Sequence, residues 1–168
     1  MLERKRKLDC ANGREKADLV LKNGNVLNVF TEEVLKADVA ICGDTIVGVG
    51  EYEGKEEIDC TGKYLVPGFI DAHMHIESCM AAPGELAKVL AKAGTTTIIA
   101  DPHEIVNVSG TKGMDYFLKC AAKLLVNVFF MVPSAVPATD VETNGCGEFL
   151  ASDMMKYVDN ARVLGLGE

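Results

Sequence analysis

The chain is poor in positive charge. Lys and Arg number 17 against 25 Asp and Glu, a formal net charge of −8, so a surface for nucleic acid or anionic membrane, which needs clustered cations, is not expected. The one basic run, Arg4-Lys5-Arg6-Lys7, reads as a solvated N-terminal segment, and no apolar h-region follows it to make a signal peptide. No uncharged apolar stretch is long enough to span a bilayer. None of the six cysteines (Cys10, Cys42, Cys60, Cys79, Cys120 and Cys146) belongs to a C-x-x-C pair, which disfavours a structural zinc knot and a redox motif. Reduced thiols in a cytoplasmic protein are expected; Cys79, close to the histidines, could line a site, although free cysteines are commonly small buried hydrophobes. Low-complexity segments are absent too. With 168 residues, 48% of them hydrophobic, the chain can bury a real core in one or two small domains.

Histidine is also scarce: there are three, and their placement is the strongest signal present. Pro67-Gly68-Phe69-Ile70-Asp71-Ala72-His73-Met74-His75-Ile76-Glu77-Ser78 reads as a buried strand ending in His-x-His. Side chains alternate faces along a strand, so Asp71, His73 and His75 project the same way. An isolated His-x-His is usually an ordinary polar strand end. Here the third histidine, His103 in Ala100-Asp101-Pro102-His103-Glu104, closes the next apolar run, Thr95 to Ala100.

The remaining pattern explains why that coincidence matters. From Ala17 to about Val66 there are short strand signals, with Lys22-Asn23-Gly24 and Cys42-Gly43-Asp44 each set between alternating apolar residues, so two β-hairpins are expected. A further strand, Lys55 to Asp59, follows. After Val66 apolar strands alternate with amphipathic helices, which implies parallel β/α units. The first helix runs from about Pro83 to Ala93. A second places Phe117, Leu118, Ala121, Leu124 and Leu125 at helical spacing, and a third, about Glu148 to Val158, places Leu150, Met154 and Val158 on one face. The domains expected are therefore 1–66, sheet strands, and 67–168, four strands and three helices. A parallel series gathers the C-terminal strand ends on one face, where barrel enzymes keep their chemistry. The four ends carry His73-Met74-His75, Asp101-Pro102-His103-Glu104, Pro133-Ser134 with Pro137-Ala138-Thr139, and Gly165-Leu166-Gly167-Glu168.

Neutral imidazoles and a carboxylate bind divalent transition metals, and a metal-bound water becomes a nucleophile near neutral pH. His73 and His75 are the candidate ligands, with Glu168 as the available carboxylate. Other metal motifs fail on spacing: Asn107 stands where H-E-x-x-H needs its second histidine after His103-Glu104. His75-Ile76-Glu77 lacks the P-C-x-x-C partner of the zinc nucleobase deaminases. Gly48, Gly50 and Gly54 miss the dinucleotide fingerprint and read as turn glycines.

Together these residues resemble the amidohydrolase superfamily: strands of a small β-sandwich, then Pro-Gly-Phe-Ile-Asp-x-His-x-His opening a metal-dependent TIM (β/α) barrel. The narrower set is similar to the prokaryotic adenine deaminase family: His75-Ile76-Glu77-Ser78, Gly94-Thr95-Thr96-Thr97 with Ala100 to Ile105, Pro133 to Thr139 with Glu142-Thr143, and Gly165-Leu166-Gly167-Glu168. Cys79 and Ala135 depart mildly from it, standing where Ser and Cys are expected. The resemblance implies hydrolytic deamination of adenine to hypoxanthine and ammonia by a metal-activated hydroxide at two divalent ions, manganese or iron with zinc as a further option. It implies that His73 and His75 bind one ion and Glu168 bridges both. His103 would be an orienting or proton-handling group, and Glu77 and Ser78 candidates for substrate contact. A full barrel has eight β/α units and about 250 residues, so four strands imply its first half, an incomplete catalytic unit whose open edge invites self-association into a homo-oligomer. The rival readings are another amidohydrolase such as a cyclic amidase, sharing only Pro67 to His75, and a non-catalytic self-associating fragment.

Overall fold

The structure, a computed structural model, describes residues 2–168 and divides into two compact units, one ending at Pro67 and the other running Gly68–Glu168. The first holds helix α1 (Leu2–Ala11) and strands β1 (Ala17–Asn28), β2 (Glu33–Cys42), β3 (Thr45–Gly50), β4 (Gly54–Asp59) and β5 (Tyr64–Leu65). They form one sheet in the order β3-β2-β1-β4, with β5 also beside β1. β1 and β2, and β2 and β3, pair antiparallel, while β4 and β5 run parallel to β1.

The hairpin expected across Gly43-Asp44 is there; the one expected across Lys22-Asn23-Gly24 is not. β1 runs straight through these residues, with a register shift against β2 between Leu21 and Gly24. Asn23 takes the left-handed region at φ 59°, which asparagine tolerates both in turns and in bulges. The partner strand decides between the two. Asp38 on β2 accepts the Asn23 N–H at 2.9 Å, the Lys22 ammonium at 2.5 Å and the Tyr52 N–H at 3.2 Å, so the backbone group freed by the bulge is satisfied without reversing the chain. Gly24 serves the other edge, since a Cβ there would stand 2.5 Å from Leu65 Cδ1.

The basic run is likewise not a free solvated segment. It lies in α1, where Arg6 pairs with Asp18 and, at 3.1 Å, with Glu15, and Lys7 reaches Asp44 at 3.0 Å and Thr45 Oγ1 at 2.8 Å. Burial, then the neighbouring Cys42, pushes the Cys10 thiol up to about 11, so Cys10, in the last turn of α1, stays protonated as a small buried apolar filler. Phe30, Ile46, Val49, Tyr64 and Val66 remain exposed in this unit.

Asp38 gives this unit a pH dependence. Burial pushes its carboxyl up, but the Lys22 ammonium and the two N–H donors outweigh that and hold it below the usual carboxylate range. A depressed folded value means that its stabilisation is complete above the unfolded value, about 3.9, and is lost as the pH falls through the folded one. Asp38→Asn is therefore expected to destabilise this unit by about 1–3 kcal/mol at neutral pH, with the difference from the unmodified chain shrinking below about pH 4. Urea unfolding at both pH values checks this.

The second unit contains β6 (Phe69–Met74), α2 (Pro83–Lys92), β7 (Thr95–Ala100), α3 (His103–Ser109), α4 (Thr111–Ala121), β8 (Asn127–Val132), α5 (Ala151–Met154) and β9 (Val163–Leu166). Short 3-10 turns cover Glu77–Cys79 and Met155–Tyr157. All strand pairs are parallel, in the order β6-β7-β8-β9, as alternating strands and helices require. The core consists of alternate strand residues (Ile98; Val128, Phe130 and Val132) packed with Val106, Met114 and Phe117 from the helices.

Two helical readings change. α3, unforeseen, begins at His103, so this histidine opens a helix rather than ending a strand. The third helix is shorter than expected and buries a different residue: Leu150 and Val158 are exposed, whereas Tyr157 is buried with its hydroxyl donating to Asp115 Oδ1 at 2.9 Å. Leu125, beyond the end of α4, is exposed as well. A side chain that fills a gap and finds a polar partner outweighs a helical stripe over so short a segment.

Candidate metal centre

The site assembles at the C-terminal ends of the parallel strands. His73 lies at the end of β6 and His75 just beyond it, and their Nε2 atoms stand 3.3 Å apart. Asp71, on the same face, accepts the His73 N–H at 3.2 Å. Glu168 follows β9 and brings Oε1 to 2.9 Å from His75 Nε2 and 3.7 Å from His73 Nε2. The three donor atoms lie within 4.8 Å of one another.

This donor set fits a divalent cation. With bonds of roughly 2.1 Å, ligand atoms at a tetrahedral angle stand about 3.4 Å apart, and the observed separations bracket that value. The outer contacts agree: Glu104 Oε2 lies 3.0 Å from His75 Nδ1, and because a carboxylate only accepts, the proton sits on Nδ1 and the Nε2 lone pair faces His73 and Glu168. Ser78 Oγ donates to the other Glu104 oxygen at 3.2 Å. Partial burial pushes the His75 imidazole down, but Glu104, Glu168 and Asp101 together outweigh it and hold it above its ordinary value. That is the electrostatics of a pocket built for positive charge.

The other candidates are placed differently. His103 is not part of the cluster; its Nδ1 is buried without a partner. Glu77 is turned to α3, where Oε1 accepts the Ile105 N–H at 2.9 Å while Oε2 is buried and unpaired. Burial raises its carboxyl. Ser78 is engaged with Glu104. Cys79 is exposed rather than a buried filler. Two residues missed by sequence reasoning hold the site together: Glu104, which fixes His75, and Asp101, which is fully buried and accepts the Glu168 N–H at 2.9 Å. Both lie in the Asp101-Pro102-His103-Glu104 motif. The start of a helix there rotates successive side chains by about 100°, so Glu104 faces His75 and His103 does not join it.

The sequence family described as the amidohydrolase family matches residues 64–163. The chain is 58% identical over 156 residues to the adenine deaminase of Desulfitobacterium hafniense, covering 93% of this chain and 27% of that protein. It is 51% identical over 162 residues to the adenine deaminase of Clostridium acetobutylicum, covering 96% and 28%. The chain thus spans a little over a quarter of the length of these curated relatives. Among solved structures it resembles a D-hydantoinase from a Thermus species, with a TM-score of 0.56 and 27% identity over 70% of this chain and 28% of that one. The atrazine chlorohydrolase of Arthrobacter aurescens, complexed with zinc, superposes with a TM-score of 0.64 over 88% of this chain and 46% of that one; at 17% identity it speaks for the fold alone. With the family match covering most of the chain and two histidines and a carboxylate gathered at the ends of its parallel strands, this chain belongs to the amidohydrolase family.

Proposed function

We propose that this chain forms the N-terminal part of an adenine deaminase, with residues 1–66 supplying sandwich strands and 67–168 the opening units of the barrel. The observation that carries this is the 58% identity to a named adenine deaminase, sustained over 93% of the chain, whereas the likeness to the hydantoinase is 27%. In this reading His73 and His75, through Nε2, and Glu168, through its carboxylate, would hold the divalent metal. Manganese or iron are the ions proposed. Bound there, such ions would supply Lewis acidity and activate water at neutral pH, the chemistry needed to hydrolyse adenine with water to hypoxanthine and ammonia. Glu104 keeps the His75 proton on Nδ1 and so keeps Nε2 free. His103, with an unpartnered Nδ1, is the group proposed to handle a proton at the wall of the site. A cytoplasmic location and self-association through the open sheet edge belong to the same reading.

The test is ammonia release from adenine, with hypoxanthine identified, set against ring opening of dihydropyrimidines and hydantoins, all with manganese- or iron-loaded protein. Three donors are fewer than two catalytic ions require, so the described residues alone are expected to bind metal without turnover. The polypeptide translated through whatever reading frame extends past codon 168 is expected to act on adenine. Ring opening without ammonia release by that polypeptide would establish the cyclic amidase reading instead.

A further inference from the structure

We propose that Asp101 is the positioning residue for Glu168, and that Gly167 is glycine in order to leave room for it; this rests on the metal-binding reading of His73, His75 and Glu168. The Glu168 side chain is 61% exposed, so no packing sets its direction. Its placement against the two imidazoles depends on where its backbone is held. Asp101, at the end of β7, is 0% exposed. Its own N–H donates to Met74 O at 2.9 Å, between the two histidines in sequence. Its Oδ2 accepts the Glu168 N–H at 2.9 Å. One residue therefore ties the segment bearing the histidines to the segment bearing the carboxylate, across the end of β8, which lies between β7 and β9.

The neighbouring backbone is held as well. Gly167 N–H donates to Val132 O at 2.7 Å, Ser134 N–H to Glu168 O at 3.1 Å, and Ser134 Oγ to Gly167 O at 2.9 Å. Gly167 is not among the positive-φ residues, so its conformation does not call for glycine. Its contacts do: a Cβ there would overlap Asp101 Oδ2 and stand 2.8 Å from Asp101 Cγ. Burying a carboxylate whose Oδ1 has no partner is costly, and an apolar residue would fill the space without that cost. What an apolar residue lacks is an acceptor for the Glu168 N–H.

Calorimetric titration of the chain with manganese tests this, with thermal melting confirming that each variant is folded. Asp101→Ala is expected to weaken manganese binding by about 10–100-fold, the range for losing a group that orients a ligand. Asp101→Asn, whose amide oxygen still accepts, is expected to retain most of the affinity. Gly167→Ala is expected to weaken binding similarly in the unmodified chain, and to add little in the Asp101→Ala background, where the space is free. Manganese affinity unchanged in Asp101→Ala, or an equal cost of Gly167→Ala in both backgrounds, would overturn the proposal. If Asp101→Ala does not fold, Gly167→Ala alone decides, and unchanged affinity overturns it. Absence of manganese binding by the unmodified chain would instead reject the metal-binding reading. Amide exchange at Glu168 then judges the anchoring itself: protection lost in Asp101→Ala and kept in Asp101→Asn supports it, and equal protection in Asp101→Ala overturns it.

Discussion

Replacing both His73 and His75 with alanine is expected to abolish divalent-cation binding by this chain, a fall in affinity of at least about 100-fold. The loss of an outer group that merely orients a ligand costs about 10–100-fold; removing two of three donor atoms costs more. The remaining donor, Glu168 Oε1, is an exposed single carboxylate, and such groups bind cations only weakly in water. Glu104, which now faces His75 Nδ1 at 3.0 Å, would have nothing left to orient. Calorimetry with manganese and with zinc on the unmodified chain and the double variant measures the difference. Equal affinity in both would remove the proposed centre altogether.

Phe130→Ala is expected to be the most destabilising single substitution in the second unit. Phe130 sits in β8, the third of four parallel strands, at 1% exposure, and its ring lies 6.2 Å from that of Phe117 on α4. Truncating a buried phenylalanine costs about 3–5 kcal/mol through lost transfer energy and the cavity left behind. Against the 5–15 kcal/mol typical of a whole domain, that is a large fraction, and it corresponds to a fall in melting temperature of roughly 15 °C or more. Leu125→Ala provides the contrast. Leu125 is 78% exposed, and its truncation is expected to change stability by no more than about 0.5 kcal/mol. Thermal melts of the two variants check the pair, and comparable losses would show that the packing around β8 is not as described.

The parallel order of β6 to β9 and the clustering of chemistry at their C-terminal ends were legible in the sequence, because both follow from local periodicity. Alternating strands with amphipathic helices leaves few topologies open. His73 and His75 could be assigned to one face for the same reason, since the period of two along the strand carries over to His75, one residue past the end of β6. The turn at Lys22-Asn23-Gly24 was not decidable this way. Asn-Gly chemistry suits a hairpin and a bulge equally, and the choice was made by Asp38 on a neighbouring strand, which binds the Lys22 ammonium and the Asn23 N–H.

The same limit governs the site. By itself the sequence determined which residue types stand at the strand ends: three histidines, an aspartate, a glutamate and the Gly167-Glu168 pair. Only the tertiary structure decided their roles, because these are set by distances between segments far apart in the chain. It brought Glu168 to 2.9 Å from His75, gave the orienting contact to Glu104 rather than to His103, and buried Asp101 beneath Gly167. Alternation fixes the face a side chain takes, and helix geometry the angle to the next one. Neither fixes how far that side chain lies from a residue on another strand, which depends on the packing of the whole sheet.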